Sequence, residues 1–186
     1  LKPGRAPRTG LSEAARMNYG LDPAQFVRHV LRPTLTRLQL GLPAAETLIL
    51  GTGLVESELR YVDQIDKANK PGPAFGLFQC EGLTHSSYWQ DYLRYQPDLK
   101  LQCIRLATWF SGDFPDPREM SFNLAYSVAM CRVHYRRLKA SLPPANDAMA
   151  LALFHKQHYN TVRGATKVDE SLKHFEFAIQ LIGAIT

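Results

Sequence analysis

The run Leu48-Ile-Leu-Gly-Thr-Gly-Leu-Val-Glu-Ser-Glu-Leu59 decides how the rest of the chain is read. Pro43 opens the segment that contains it, because proline suits the first turn of a helix. Ala45, Leu48, Ile49, Thr52, Val55, Glu56 and Leu59 fall on one face, and Thr47, Leu50, Gly51, Leu54 and Glu58 on another. A helix apolar on both sides is predicted to be central rather than superficial. Gly51 and Gly53 weaken such a helix and belong where a neighbour packs closely. They form no phosphate loop, since neither a second Gly-x-x-Gly nor a Lys-Ser/Thr follows. Near the end stand Glu56 and Glu58, with Ser57 between them. A carboxyl in apolar surroundings is costly unless it is paired or keeps its proton. Residues two apart project about 200° apart on a helix, so only one of these acids can face a given cleft.

Upstream, Asp22-Pro23 has the form of a helix start, and Phe26, Val27, Val30, Leu31, Leu35 and Leu38 continue at helical spacing. Pro33 is expected to kink or split that helix. Residues 1–20, rich in Gly, Pro and Arg, read as a basic arm preceding a single domain over 21–186. Downstream, residues 60–82 lose the helical pattern and predict a long loop or small hairpin forming one wall of a cleft. Helices are then expected from Ser86 or Ser87 to Leu93, from Pro97 or Asp98 with Leu99, Cys103, Leu106, Ala107 and Phe110 inward, and from Ser121 to about Leu142. Two more follow, capped by Asn146 or Asp147 and starting near Asp169, the last burying Leu172, Phe175, Ile179 and Ile182. The fold class is mainly α with one small β or loop insertion after the central helix.

The 186 residues carry a net charge of +5. A basic balance favours acidic partners such as nucleic acid or an anionic cell wall, although a solubilising surface is the commoner cause. Arg132, Arg136 and Arg137 read as a solvated helix face, and His134 as a helix-face residue. No apolar run approaches the roughly 20 residues that a membrane-spanning helix needs. Cys80, Cys103 and Cys131 lack zinc spacing and read as small buried apolar residues. His155 and His158 have a spacing seen in metal sites but no third ligand, so neither metal nor cofactor is expected.

Three separated pieces remain: Glu56-Ser57, Gly76-Leu-Phe-Gln79 and Tyr159-Asn160. A protonated carboxyl poised to donate is what cleavage of a glycosidic bond requires. Val55, Thr52 and Leu59 beside Glu56 would supply the desolvation that raises a carboxyl pKa. Glu58 reads as an ion-pair residue at the helix end. Ser57 either bonds the substrate or the Glu56 carboxyl, or caps the helix. Leu77 and Phe78 either line a groove or pack in the core.

In their order and spacing the three pieces resemble the lysozyme-like superfamily, most closely the lytic transglycosylases related to goose-type lysozyme. There, an apolar helix ends in Glu-Ser, a Gly-Leu-Met-Gln loop follows, and a Tyr-Asn pair comes after a later helix. This chain has Phe78 in place of the Met, and Thr161 after the Tyr-Asn. The resemblance covers about residues 43–165. It implies a lysozyme-like fold and cleavage of peptidoglycan glycan strands at the MurNAc–GlcNAc bond. Glu56 would be general acid and then base, forming 1,6-anhydro ends. Ser57, Gly76, Leu77, Phe78, Gln79, Tyr159 and Asn160 would bind substrate. It further implies work at the bacterial envelope or in a phage particle, within a larger assembly, and without nucleic acid. Other readings stand beside it. One is a muramidase using Asp63 or Asp66 as a second acid, about 5–9.5 Å from the first; another is a non-catalytic wall-binding module of the same fold. A third is a helical nucleic-acid-binding domain that uses the basic helix 121–142 and would bind DNA with steep salt dependence.

Overall fold

The computed structural model describes residues 19–65, 70–159 and 168–185. Most of the basic arm, Asp66 and Asn160 lie outside that range. Asp22 caps α1 (Pro23–Phe26) by accepting from the Gln25 amide at 2.9 Å. The helix then widens into a π turn, Val27–Leu31, before α2 (Arg32–Arg37). Pro33 accounts for the widening: it has no amide for the carbonyl one turn back, and its ring crowds that carbonyl. The proline thus loosens the helix without ending it.

The central helix is α3 (Pro43–Ser57), with Leu48, Ile49, Leu50 and Leu54 fully enclosed. Each contributes about 1.5–3 kcal/mol on removal from water. Glu58 and Leu59 both take left-handed backbone angles (φ 52°) and stop the helix. The segment that follows is a three-stranded antiparallel sheet in the order β1 (Asp63–Ile65), β2 (Pro71–Phe75), β3 (Cys80–Glu81). Asp63 faces Phe75, and Phe75 faces Cys80.

Beyond the sheet, α4 (Gly82–Ser87) begins earlier than Ser86 or Ser87, and it runs on through a π turn to Tyr92. Those serines do not cap it; their hydroxyls bond back to the Gly82 and Thr84 carbonyls inside the helix. The next helix, α5 (Pro97–Ile104), stops before Phe110, which is 44 % exposed rather than inward. The chain then turns through α6 (Glu119–Phe122). Asn123, not Ser121, caps α7 (Leu124–Arg136) by accepting from the Tyr126 amide at 3.0 Å. Asp147 likewise caps α8 (Ala148–His158), and α9 (Val168–Ala184) completes the chain of helices. Phe175, Ala178 and Leu181 form its buried stripe, while Leu172, Ile179 and Ile182 are half-buried beside it. None of the described helices is long and apolar enough to cross a membrane.

Two apolar clusters share α7 as their wall. Val128, Cys131 and Tyr135 face the cluster made by α3, α8 and α9, whereas Tyr126, Ala129, Met130 and Val133 face that of Tyr88, Trp89, Leu93 and Cys103. All three cysteines are buried thiols. Burial pushes the Cys80 thiol up to about 11 and that of Cys103 to about 12, and it raises Cys131 as well.

The glycines of α3 serve the predicted purpose. A Cβ on Gly51 would lie 2.2 Å from the Phe175 ring, and one on Gly53 2.8 Å from Leu59. Because α9 seats its ring on the bare backbone of α3, Gly51→Ala should destabilise the protein by about 1–3 kcal/mol, despite alanine's better helix propensity. Urea unfolding measures this, and pairing the change with Phe175→Leu should recover part of the loss.

His134 is buried rather than on an exposed helix face. Its Nε2–H donates to the His158 carbonyl (2.7 Å), which leaves Nδ1 to accept from the Tyr88 hydroxyl (2.8 Å). His85 lies in the same cluster, 2.7 Å from the Tyr126 hydroxyl. Burial pushes both rings down to about 4. The unfolded chain therefore binds these protons first. The stability due to the neutral rings is complete above about pH 6.5 and is lost as pH falls towards 4, by up to about 3 kcal/mol per histidine. Melting temperature measured from pH 7 to 4 should fall accordingly, and less steeply in His134→Gln.

Candidate active site

Glu56 sits in the last turn of α3, where that helix meets α8. Its side chain is 18 % exposed, and its Oε1 lies 3.1 Å from Nε2 of His155. The two atoms are within ion-pair distance without the alignment of a hydrogen bond, and neither buried atom has another partner among the described residues. The imidazole is fully enclosed. On its far side, Nδ1 is 3.1 Å from the Tyr135 hydroxyl and 3.4 Å from Oγ1 of Thr52. Thr52 stands one turn before Glu56 on α3. Its hydroxyl donates to the Leu48 carbonyl (2.8 Å), so its oxygen is left to accept from Tyr135, also at 2.8 Å.

The Tyr135 hydroxyl can donate either to Thr52 or to Nδ1 of His155, and the ring tautomer follows from that choice.

A second buried acid makes the contrast plain. Glu119 is fully enclosed, and its two oxygens accept from the amides of Thr108 and Trp109, from the Thr108 hydroxyl and from the Asn123 amide group. Every lone-pair direction has a use there, so the carboxylate serves as a loop anchor. Glu58 is exposed, 3.6 Å from Arg60. Such a surface pair adds little.

The other two sequence pieces meet at the same place. The hydroxyl of Ser57 donates to the Leu77 carbonyl (2.7 Å), which fastens the 76–79 turn to the end of α3. The hydroxyl of Tyr159 donates to the Phe78 carbonyl (2.8 Å), which fastens the turn to α8. The Tyr159 ring stacks on His155 with centroids 5.5 Å apart and planes 20° apart. Burial raises the Tyr159 hydroxyl well above its ordinary range, so it stays a donor. Glu56, His155, Tyr159 and the turn thus form one connected cluster.

Within it the residues have different tasks. Leu77 and Phe78 bury their side chains in the core, and Ser57 spends its hydroxyl on the frame, so none of the three presents a side chain to a ligand. Gly76 is needed because φ is +75° and a Cβ would lie 2.5 Å from the Met120 carbonyl. The close approach it allows is to its own chain, not to a ligand. Gln79 is half-exposed, with a left-handed backbone (φ 48°) and a side chain that returns to the Gly76 carbonyl. Non-glycine residues seldom hold that conformation without a stabilising frame. Asp63 accepts from the Ser121 hydroxyl on an exposed strand.

Tyr135 and His155 are parts of the site that the sequence pattern does not single out, and Thr52, expected only to desolvate Glu56, also bonds Tyr135. The signal is in the spacing: Thr52 and Glu56 stand four apart, as do His155 and Tyr159, which places each pair on one helix face. His155 and His158 have metal-site spacing, and no group of three metal-ligating side chains exists among the described residues. No family model, curated protein or solved structure matches the chain.

Tyr159→Phe leaves the Phe78 carbonyl without its donor and should cost about 1–3 kcal/mol. Ser57→Ala acts on the same turn. Chemical denaturation of both single variants and the double should show non-additivity, because the two bonds hold one element.

Proposed function

We propose that this protein is a peptidoglycan lytic transglycosylase of lysozyme-like fold, with Glu56 as its general acid and base. The observation that carries the reading is the state of the Glu56 carboxyl. It is largely enclosed, faces a buried histidine with no other partner among the described residues, and lies where Glu56-Ser57, the Gly76–Gln79 turn and Tyr159 converge. The mainly helical chain, with a small antiparallel sheet directly after the central helix, is compatible with the same fold.

In the proposed reaction, protonated Glu56 donates to the glycosidic oxygen between MurNAc and GlcNAc. The C1–O bond breaks and positive charge spreads over C1 and the ring oxygen. The carboxylate so formed takes the proton from the C6 hydroxyl of the same sugar, and O6 bonds to C1. The products are a free 4-hydroxyl and a 1,6-anhydro ring; no water enters, and Glu56 ends protonated as it began. His155, with Nε2 3.1 Å from Oε1, bounds the enclosed side of the carboxyl through both halves. Gln79 is half-exposed; its Nε2 donates to the Gly76 carbonyl, and its Oε1 is the acceptor it can offer a sugar. Of the two candidate second acids, Asp63 already accepts from Ser121 and Asp66 lies outside the described residues; the one-acid route needs neither.

Glu56→Gln keeps size and removes the acid. Purified sacculi should be solubilised at least about 100-fold more slowly by this variant than by the unaltered protein, in line with the usual worth of a general acid, with melting temperature little changed. Mass spectrometry of the digest should show anhydro ends. Reducing ends would assign a hydrolase instead, and absence of turnover a wall-binding module. His155→Gln should lower the rate and displace the alkaline limb of the pH–rate profile, where Glu56 gives up the proton it must donate, which a purely structural histidine would leave in place.

A further inference from the structure

A cavity of about 640 Å3 lies on the opposite side of Tyr135, between the loop that joins α2 to α3 and the C-terminal part of α7. Arg132, Arg136 and Lys139 line it, together with Leu40, Leu42 and Leu138. A smaller cavity of about 270 Å3 shares Leu40 and Arg136 with it and extends the space towards Tyr92. Glu56, Gln79 and Tyr159 line neither.

Arg132 and Arg136 stand four apart on α7 and so share one face, and Lys139, in the bend that follows, lines the same cavity. Arg132 is only 4 % exposed. Its Nε donates to the Leu40 carbonyl at 3.3 Å, and among the described residues no carboxylate comes within ion-pair distance of it, of Arg136 or of Lys139. Desolvation and the neighbouring Arg136 charge both act against the protonated form of Arg132. The other arginine of this stretch is committed elsewhere: Arg137 bonds the Ser87 hydroxyl and lies over the Tyr88 ring. The C-terminal end of α7 and one carbonyl offset part of the cost of Arg132. Neither supplies a counter-charge, and like charges four apart repel. A buried guanidinium held in this way, at the edge of an open and partly apolar cavity, is a preformed oxyanion receptor.

We propose that this cavity binds a small amphipathic oxyanion, a carboxylate or phosphate monoester with an apolar body. The head group sits between Arg132 and Arg136, with Lys139 at the rim. The apolar part lies along Leu40, Leu42 and Leu138. The volume suits a ligand of that size. The site is separate from Glu56 and stands whether or not the chain cleaves glycans.

The test is isothermal titration of the full chain at fixed ionic strength with hexyl phosphate, hexanoate and inorganic phosphate. At least one of the hexyl ligands should bind saturably at one site, about 10-fold or more tighter than inorganic phosphate. Comparison of the two hexyl ligands distinguishes a phosphate from a carboxylate head. Arg136→Gln should weaken binding about 10-fold or more, and Lys139→Gln by a smaller factor. Arg132→Met should abolish binding while leaving the melting temperature of the free protein unchanged or higher, because it removes an uncompensated buried charge. No saturable binding by either hexyl ligand, or binding that Arg136→Gln leaves intact, overturns the proposal. A free-protein melting temperature that falls in Arg132→Met while Arg136→Gln binds as the unaltered protein does marks Arg132 as structural, and it overturns the proposal equally.

Discussion

The ring of Phe175 rests against the bare backbone of Gly51, and most of the architecture follows from that contact. It brings α9 onto α3 at a distance no side chain at position 51 would permit. The same ring lies 5.8 Å from the His155 imidazole, so the seat of α9 also bounds the pocket that holds the histidine. From there the order passes outward: His155 is set against Glu56 on one side and Tyr135 on the other, and Tyr135 belongs to the wall between the two apolar clusters. A loss of close packing at Gly51 would therefore reach the carboxyl through touching groups, without any change in the acid itself.

Acids in this protein illustrate how environment assigns a role. Glu119 is the more deeply buried, but its oxygens are saturated by amides and a hydroxyl, and it holds a loop. Glu58 is in water beside an arginine. Of these three, Glu56 is the one with an enclosed oxygen that has no hydrogen-bond partner among the described residues, 3.1 Å from a histidine ring nitrogen. Burial by itself does not make a carboxyl structural; the donors aimed at it do, and Glu119 has them where Glu56 does not.

Much of this was legible in the sequence. The two-sided apolar pattern of 43–59 foretold a central helix, its glycines foretold a close neighbour, and Asp22 and Asp147 marked helix starts correctly. The loss of period after residue 60 marked the small sheet. Other features were not legible, because they depend on partners remote in the chain. His134 and Arg132 carry polar heads that suggest a wet helix face, yet α7 is covered on both sides and each group is satisfied, wholly or in part, by a distant carbonyl. Phe110 fitted the helical period, but α5 ends at Ile104 before the period can be used. Which of the Gly76–Gln79 atoms would be open to a ligand was equally hidden: Ser57 and Tyr159 claim two of its carbonyls, and only coordinates reveal that.

The buried thiols give the molecule a chemical silence with practical use. Cys80, Cys103 and Cys131 lie in the packed interior and hold their protons far above neutral pH, so alkylating reagents meet almost no thiolate while the chain is folded. Labelling would occur only during excursions that open the interior. The cysteines thus form a native set of opening clocks, two in the cluster around Tyr88 and Trp89 and one beside α3, and peptide-resolved alkylation could time each region separately. A cysteine introduced on the surface could likewise carry a probe without removal of the native ones.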